Sequence, residues 1–140
     1  ELESEAAQAY EFITEKETSK IGFVTDDKMK IGCSPDRVFE KSGLEIKSPS
    51  HAVHMKYLIK NEVPPEYWGQ VQFTMHVMGC DSWDFMSYHP DLPPLILCVG
   101  RDEEYIEKIT EGIERFYEMM REKVSVLSER GVIDFDANDL

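Results

Sequence analysis

The chain has 140 residues, is 41% hydrophobic and 11% aromatic, and carries a net charge of −13. This length and apolar content predict one folded domain with a modest core and exclude a disordered chain. No apolar run approaches the roughly 18 residues of a membrane span, and no signal peptide is visible.

The start of the chain and its cysteines give two further expectations. The sequence begins at Glu1 rather than at Met, so we expect a fragment or a chain with an upstream segment. Cys33, Cys80 and Cys98 have no zinc-like spacing, so we expect reduced and mostly buried thiols, as in a cytosolic protein.

The acidic charge is distributed unevenly. Residues 1–60 contain 9 basic and 11 acidic side chains, whereas residues 61–140 contain 6 and 17. This acidity argues against a broad surface that coats DNA non-specifically. It leaves a metal-dependent nuclease cleft possible in the first part of the chain, because bound divalent cations reverse the local field.

The first third of the chain predicts one helix followed by short strands. Helical periodicity covers residues 2–17, with a stripe of apolar side chains on one face. Strands are predicted at 21–27, 28–34, 37–40 and 44–47, separated by turn residues. We expect three of them to form an antiparallel meander that carries Asp36 and Glu45 on neighbouring strands.

The rest of the chain alternates between helical and extended patterns. Beyond Pro49, the patterns predict helices at 52–60, 66–79 and 102–130 and strands at 82–89 and 94–100. An acidic tail covers residues 131–140. The order predicts a single domain over 1–140, of the α/β (α+β) class, with a mixed central β-sheet flanked by helices.

The stretch "GCSPDRVFEKSGLEIKSP" contains the residues with the clearest chemistry. Glu45 and Lys47 are two positions apart on a predicted strand and therefore share a face, while Ile46 faces the core and leaves its carbonyl near the same rim. Asp36 can reach towards Glu45 across the hairpin. Two carboxylates and a carbonyl suit Mg²⁺ or Mn²⁺, and Lys47 would hold the attacking water in a metal-assisted hydrolysis.

Simpler explanations exist for these residues. Glu45 and Lys47 could be a solvated surface pair, and PD…ExK patterns arise by chance. The proline that stops the strand just after Lys47 and a third carboxylate upstream, Glu3, favour the metal site. His51 and His54 form an HxxH pattern, but they lack a companion carboxylate pattern and are a weak zinc candidate.

Several segments together resemble the phage lambda exonuclease / YqaJ-type viral recombinase family. They are "CSPDRV", "GLEIKSP", "HMKY", "WGQVQFTMHVMGCDSWDFMSYHPD" and "VGRDEEYIEKI", in the order of the family. The family belongs to the PD-(D/E)xK nucleases, so the resemblance implies a restriction-endonuclease-like core. It also implies a nuclease that uses Mg²⁺ or Mn²⁺, with two bound ions.

The resemblance assigns roles to single positions. It implies metal binding by Asp36, Glu45, the Ile46 carbonyl and Glu3, with Lys47 as the catalytic lysine. Glu5 is the alternative to Glu3. Two further groups of residues follow: Gln70, with Gln72 as the less favoured alternative, is expected to orient Lys47 or the attacking water, and Lys56 and Arg37 are expected to contact DNA.

The resemblance also implies a function and partners. It implies a 5′→3′ exonuclease on linear double-stranded DNA, a homotrimer that passes the exposed 3′ strand to a single-strand annealing protein. The location would be the cytoplasm of a bacterial host, with a phage or prophage gene. The alternatives are an endonuclease or flap/junction nuclease with the same core, or a non-catalytic module that docks a partner. The family's upstream segment, with its 5′-phosphate pocket, is not visible in this sequence.

Overall fold

The computed structural model describes residues 2–28 and 30–140. Contacts divide the chain into two compact units, Glu1–Asp102 and Glu103–Leu140, which are described separately below. The single domain expected over 1–140 stays a prediction.

The first unit contains three helices and six strands. The helices are α1 (Leu2–Thr14), α2 (His51–Lys60) and α3 (Pro65–Met78). The strands are β1 (Val24–Thr25), β2 (Gly32–Cys33), β3 (Arg37–Phe39), β4 (Ser42–Lys47), β5 (Ser82–Ser87) and β6 (Leu95–Gly100).

The main sheet has four strands in the order β3-β4-β5-β6. The β3/β4 and β5/β6 pairs are antiparallel, whereas β4 and β5 run parallel. A parallel pair needs a long crossover, and α2 and α3 provide it between Lys47 and Ser82. The predicted mixed sheet flanked by helices is therefore confirmed.

Both faces of this sheet are covered by apolar side chains. Tyr10 of α1 packs with Leu44, Ile46 and Met86 on one face. On the other face, α3 contributes to a second cluster, whose buried members are Val71, Met75, Cys80, Trp83, Phe85 and Val99. Strand β5 is buried along nearly its whole length, whereas β6, at the edge of the sheet, has Cys98 and Gly100 exposed.

The expected meander is wrong in its connectivity. β1 and β2 pair with each other in a separate two-stranded sheet, and β2 does not continue into β3. Asp36 lies in a bend just before β3 rather than on a strand. Met29, part of the strand predicted at 28–34, lies outside the described residues.

Two other sequence predictions, the end of α1 and the burial of the cysteines, can be compared with the structure. Helix α1 ends at Thr14 instead of residue 17, because Glu15 adopts a left-handed backbone with φ of 58° and its N–H bonds to the Glu11 carbonyl. Cys33 and Cys80 are buried, whereas Cys98 is exposed. The expectation of mostly buried cysteines is confirmed, whereas their reduced state stays a prediction.

The second unit is built around one long helix, α4 (Glu103–Glu129), close to the predicted 102–130. The helix ends where Gly131 adopts a φ of 66° and Val132 N–H bonds back to the Leu127 carbonyl. A short 3₁₀ helix follows at Ala137–Asp139, within the predicted acidic tail. None of the helices in the described ranges is long and apolar enough to cross a membrane.

Candidate active site

Asp36 is held at the edge of the main sheet, just before β3 begins. Its Oδ2 accepts a hydrogen bond of 2.7 Å from the Ile46 N–H of β4. The last pair of the β3/β4 ladder is Arg37 with Leu44, so the Asp36 side chain occupies the edge of β4 just beyond the ladder. The bend at Asp36 thus brings a carboxylate beside the strand that carries Glu45 and Lys47.

Glu45 is 2% exposed, and two donors converge on its Oε1. Lys47 Nζ lies 2.6 Å from this oxygen, and Gln70 Nε2 of α3 donates to it at 2.6 Å. Glu45 and Lys47 share the face of β4 that α3 covers, as alternation along a strand requires. Gln70 contacts Glu45, whereas the sequence pointed to Lys47 or the water; its role stays a prediction.

Burial raises the pKa of both carboxylates, and a neighbouring acid raises each of them further. Burial raises the pKa of Glu45, the Lys47 hydrogen bond opposes this, and the charge of Asp36 raises it further. Burial also raises the pKa of Asp36, against the bond from Ile46 N–H, and the charge of Glu3 adds to the rise. The edge therefore holds more negative charge than Lys47 alone neutralises.

Tyr67 is a site residue that the sequence did not single out. Lys47 Nζ lies 4.9 Å from the centre of the Tyr67 ring, within the range of a cation–π contact. The ring is stacked on Phe85 of β5, with centroids 5.8 Å apart. The available signal was spacing, because Tyr67 precedes Gln70 by three positions on α3 and so shares its face.

Glu3 and Glu5 on α1 have different surroundings. Glu3 Oε1 lies 3.1 Å from Lys20 Nζ and 4.0 Å from Arg37 Nη2. Glu5 accepts a hydrogen bond of 2.6 Å from the Tyr88 hydroxyl. Of the two, Glu3 is the acid whose charge acts on Asp36. The assignment of Glu3 as a metal ligand stays a prediction.

The remaining candidates are placed as follows. The Arg37 side chain is only 13% exposed and faces Glu3, whereas Lys56 is exposed on α2; DNA contact by either stays a prediction. Gln72 points away from Glu45 and bonds the Gly100 carbonyl and the Asp102 N–H. His54 is buried between the Ser87 hydroxyl and the Pro93 carbonyl, which leaves no zinc-binding role for it.

The chemistry of this donor set suits a divalent cation. Asp36, Glu45 and the Ile46 carbonyl offer hard oxygen atoms, and two buried acids without a cation repel each other. Within residues 2–28 and 30–140, no group of three His, Cys, Asp or Glu side chains is close enough to hold a metal together. The site therefore fits a cation held by two carboxylates and a carbonyl.

The fold is similar to that of solved exonucleases. The crystal structure of the alkaline exonuclease LHK-Exo from Laribacter hongkongensis matches with a TM-score of 0.82 and 26% identity, over 93% of this chain and 70% of that chain. LHK-Exo in complex with dAMP matches over the same shares, with a TM-score of 0.82 and 25% identity. The expected restriction-endonuclease-like core is thereby confirmed. No curated protein matches the chain.

The sequence itself supplies the family. Residues 1–81, more than half of the chain, match the model of the YqaJ-like viral recombinase domain. The matched part contains the bend at Asp36, strand β4 and most of α3, which are the elements that build the candidate site. The chain therefore belongs to the YqaJ-like viral recombinase domain family and has the nuclease role of that family.

Proposed function

We propose that the protein is a Mg²⁺- or Mn²⁺-dependent exonuclease that digests one strand of linear double-stranded DNA in the 5′→3′ direction. The observation that carries this proposal is the arrangement at the sheet edge. Buried Glu45 lies 2.6 Å from the amine of Lys47, and Asp36 is fixed beside it on the Ile46 N–H. Two neighbouring carboxylates beside an amine at a sheet edge suit metal-assisted phosphodiester hydrolysis, in which a bound cation stabilises charge on the phosphate.

Each residue at the edge has a separate task. Asp36, Glu45 and the Ile46 carbonyl would hold a divalent cation, with Glu3 as a further acid nearby. The bound cation would supply positive charge that stabilises the developing charge on the phosphate. Lys47, released from Glu45, would donate a hydrogen bond to the attacking water and orient it towards the phosphate. Gln70 would keep the Glu45 carboxylate in place through its amide N–H.

The similarity to known proteins supports a DNA substrate, and the direction of digestion is proposed on the resemblance to the family. LHK-Exo is an alkaline exonuclease and has been crystallised with dAMP, which supports a deoxynucleotide product for this chain. Ionised carboxylates are needed to bind the cation, so acidification should weaken cation binding by protonating Asp36 and Glu45, whose pKa values are raised by burial.

The biological setting is proposed on the resemblance. A homotrimer would expose a 3′ strand and pass it to a single-strand annealing protein during phage-type recombination. The protein would act in the cytoplasm of a bacterial host, encoded by a phage or prophage.

The direct test uses a linear duplex with 5′ phosphates, incubated with the protein and Mg²⁺. We expect mononucleotides and a growing 3′ overhang, whereas a covalently closed circle should stay intact. Cleavage of the circle would indicate an endonuclease, and digestion from the 3′ end would contradict the proposed direction. No cleavage together with no Mg²⁺ binding in calorimetry would favour a docking module.

Two variants identify the site in the same assay. Lys47→Ala and Asp36→Ala should abolish digestion while the far-UV circular dichroism spectrum stays unchanged. Lys108→Ala and Asp91→Ala are matched controls, because both side chains are exposed and neither belongs to the proposed site. Digestion by the purified Lys47→Ala or Asp36→Ala protein would refute the assignment.

A further inference from the structure

The ladder between β3 and β4 stops one pair before it would cover the candidate site. Its pairs are Phe39 with Ser42, Val38 with Gly43 and Arg37 with Leu44. Continued antiparallel register would bring Asp36 opposite Glu45 and then residue 35 opposite Ile46, because each step forward on one strand is a step back on the other. The chain bends at Asp36 instead, and residue 35 is a proline.

The backbone of Ile46 points towards this uncovered edge. Tyr88 N–H donates to the Lys47 carbonyl at 2.8 Å, so residues 45 and 47 use their backbone groups on the β5 side of the strand. Ile46 therefore presents its N–H and its carbonyl on the β3 side, since both groups of one strand residue project in the same direction. Its N–H is taken by Asp36 Oδ2, and the ladder supplies no donor to its carbonyl.

We propose that Pro35 is a positioning residue that ends the β3 ladder and thereby keeps the Ile46 carbonyl free to bind the cation. Proline has no N–H and is unable to donate to a ladder. Any other residue at this position would offer an N–H at the register position opposite Ile46. That N–H would bond the carbonyl, and the residue 35 carbonyl would compete with Asp36 for the Ile46 N–H. This inference rests on the proposed cation site.

The proline is therefore coupled to the aspartate that follows it. Pro35 is buried, and Asp36 replaces the missing ladder acceptor with a side-chain oxygen 2.7 Å from the Ile46 N–H. At this position, the edge of β4 does not pair with β3. It presents oxygen atoms of the Asp36 carboxylate and the Ile46 carbonyl instead. Both are the hard ligands that Mg²⁺ and Mn²⁺ prefer.

The test separates the missing N–H from the proline ring. Pro35→Ala introduces an N–H, whereas Pro35→N-methylalanine removes the ring but still has no N–H. The second variant can be assembled chemically from three segments, because Gly32–Cys33 and Gly79–Cys80 are suitable ligation junctions. Pro90→Ala, in an exposed loop, controls for the general loss of a proline.

The first measurement is the affinity for Mn²⁺ in the absence of DNA, by isothermal titration calorimetry on the whole chain. We expect Pro35→Ala to bind Mn²⁺ about 10-fold or more weakly, as is typical when a group that orients a ligand is changed. Pro35→N-methylalanine should retain Mn²⁺ affinity close to that of the parent, as should Pro90→Ala. Equal losses in both position-35 variants, or no loss in Pro35→Ala, would overturn the proposal.

The second measurement reports the geometry without metal or activity. In metal-free Pro35→Ala, the new amide should exchange with deuterium slowly, because it bonds the Ile46 carbonyl. Exchange as fast as that of an exposed loop amide would overturn the proposal even if the parent is an active nuclease. Conversely, a slowly exchanging residue 35 amide in Pro35→Ala, together with a parent that neither binds Mn²⁺ nor cleaves DNA, would support the ladder geometry while refuting the proposed function.

Discussion

Two buried carboxylates on neighbouring strands have opposite surroundings. Asp84 of β5 is 4% exposed and Glu45 of β4 is 2% exposed. Their register partners are Leu44 and Phe85, respectively, so the two acids lie on opposite faces of the sheet. Each has a lysine as a close partner, yet only Glu45 has a second acid beside it.

The Asp84 group is balanced. Its Oδ2 accepts hydrogen bonds from the Tyr10 hydroxyl at 2.5 Å and from Lys16 Nζ at 2.8 Å. Tyr10 belongs to α1 and Lys16 follows that helix, so the acid ties the helical segment to the sheet. The Glu45 group has a second acid, because the charge of Asp36 raises the Glu45 pKa. Lys47 contacts Glu45, and the charges of Lys47 and Arg37 act on Asp36. Loss of the paired cation destabilises a buried acid such as Asp84, whereas two neighbouring acids raise each other's demand for positive charge, which a bound cation can meet.

Replacing each acid by its amide gives the largest expected contrast. Glu45→Gln should reduce DNA cleavage by about 10⁴-fold or more, as loss of a central catalytic group commonly does. Asp84→Asn should leave the cleavage rate per folded molecule unchanged and lower the unfolding temperature. Single-turnover cleavage and thermal unfolding measure the two effects. A large loss of cleavage in folded Asp84→Asn would break the distinction between the two faces.

Replacing Lys47 and replacing Lys16 should give the same contrast, with a loss of cleavage in the first case and a loss of stability in the second. Lys47→Met should lower cleavage by about 10²–10⁴-fold, the usual range for a group that assists proton transfer, with little change in Mn²⁺ affinity. Lys16→Met should retain cleavage but lower the free energy of unfolding by about 1–3 kcal/mol, since Asp84 then loses a charged donor. Urea unfolding and cleavage of a linear duplex measure both. A stable Lys16→Met protein would contradict the structural role of Asp84.

The sequence predicted the site around Glu45 but did not predict the hydrogen-bonded group around Asp84. Glu45 and Lys47 are two positions apart on one strand, so a period of two was enough to place them on one face. Asp84, Tyr10 and Lys16 come from elements up to 74 positions apart, and only the strand order brings them together. In the sequence, Asp84 is one polar residue in an apolar strand, with no local signal for a partner.

The error in the meander has a similar cause. The strand patterns around Cys33 and Arg37 are both present, but Pro35 and the bend at Asp36 separate them into different sheets. The parallel pairing of β4 with β5 was also invisible locally, because it depends on the crossover through α2 and α3. The class of fold follows from the order of elements, whereas the pairing depends on contacts between distant strands.

Replacing Tyr67 tests the surroundings of Lys47 and should have a smaller effect on cleavage. A cation–π contact contributes about 0.5–2 kcal/mol, so Tyr67→Leu should lower cleavage by roughly 2–30-fold. Tyr67→Phe is the matched control, because it retains the ring beneath Lys47 Nζ and the stack on Phe85. The pH dependence of single-turnover cleavage should shift in Tyr67→Leu only. Equal rates and pH profiles in both variants would remove Tyr67 from the site.

The smallest expected effect is a change in the free energy of unfolding, and its sign distinguishes Asp36 from Asp84. Asp36→Asn should stabilise the metal-free protein by about 0.5–2 kcal/mol, because it removes a buried charge that repels Glu45 and Glu3 and still accepts from Ile46 N–H. Asp84→Asn should destabilise it. Saturating Mg²⁺ should stabilise the parent, by about 2.7 kcal/mol at 100 times its Kd, and have little effect on Asp36→Asn.

The pH dependence fixes the sign of this last prediction. Burial raises the Asp36 pKa in the folded protein, so its ionisation opposes folding. The cost is absent below the ordinary pKa, grows as pH rises through the folded pKa, and is complete above it. The stability difference between Asp36→Asn and the parent should therefore be largest at about pH 8 and vanish at about pH 4. A difference that grows on acidification would mean that the folded protein stabilises Asp36 as an anion.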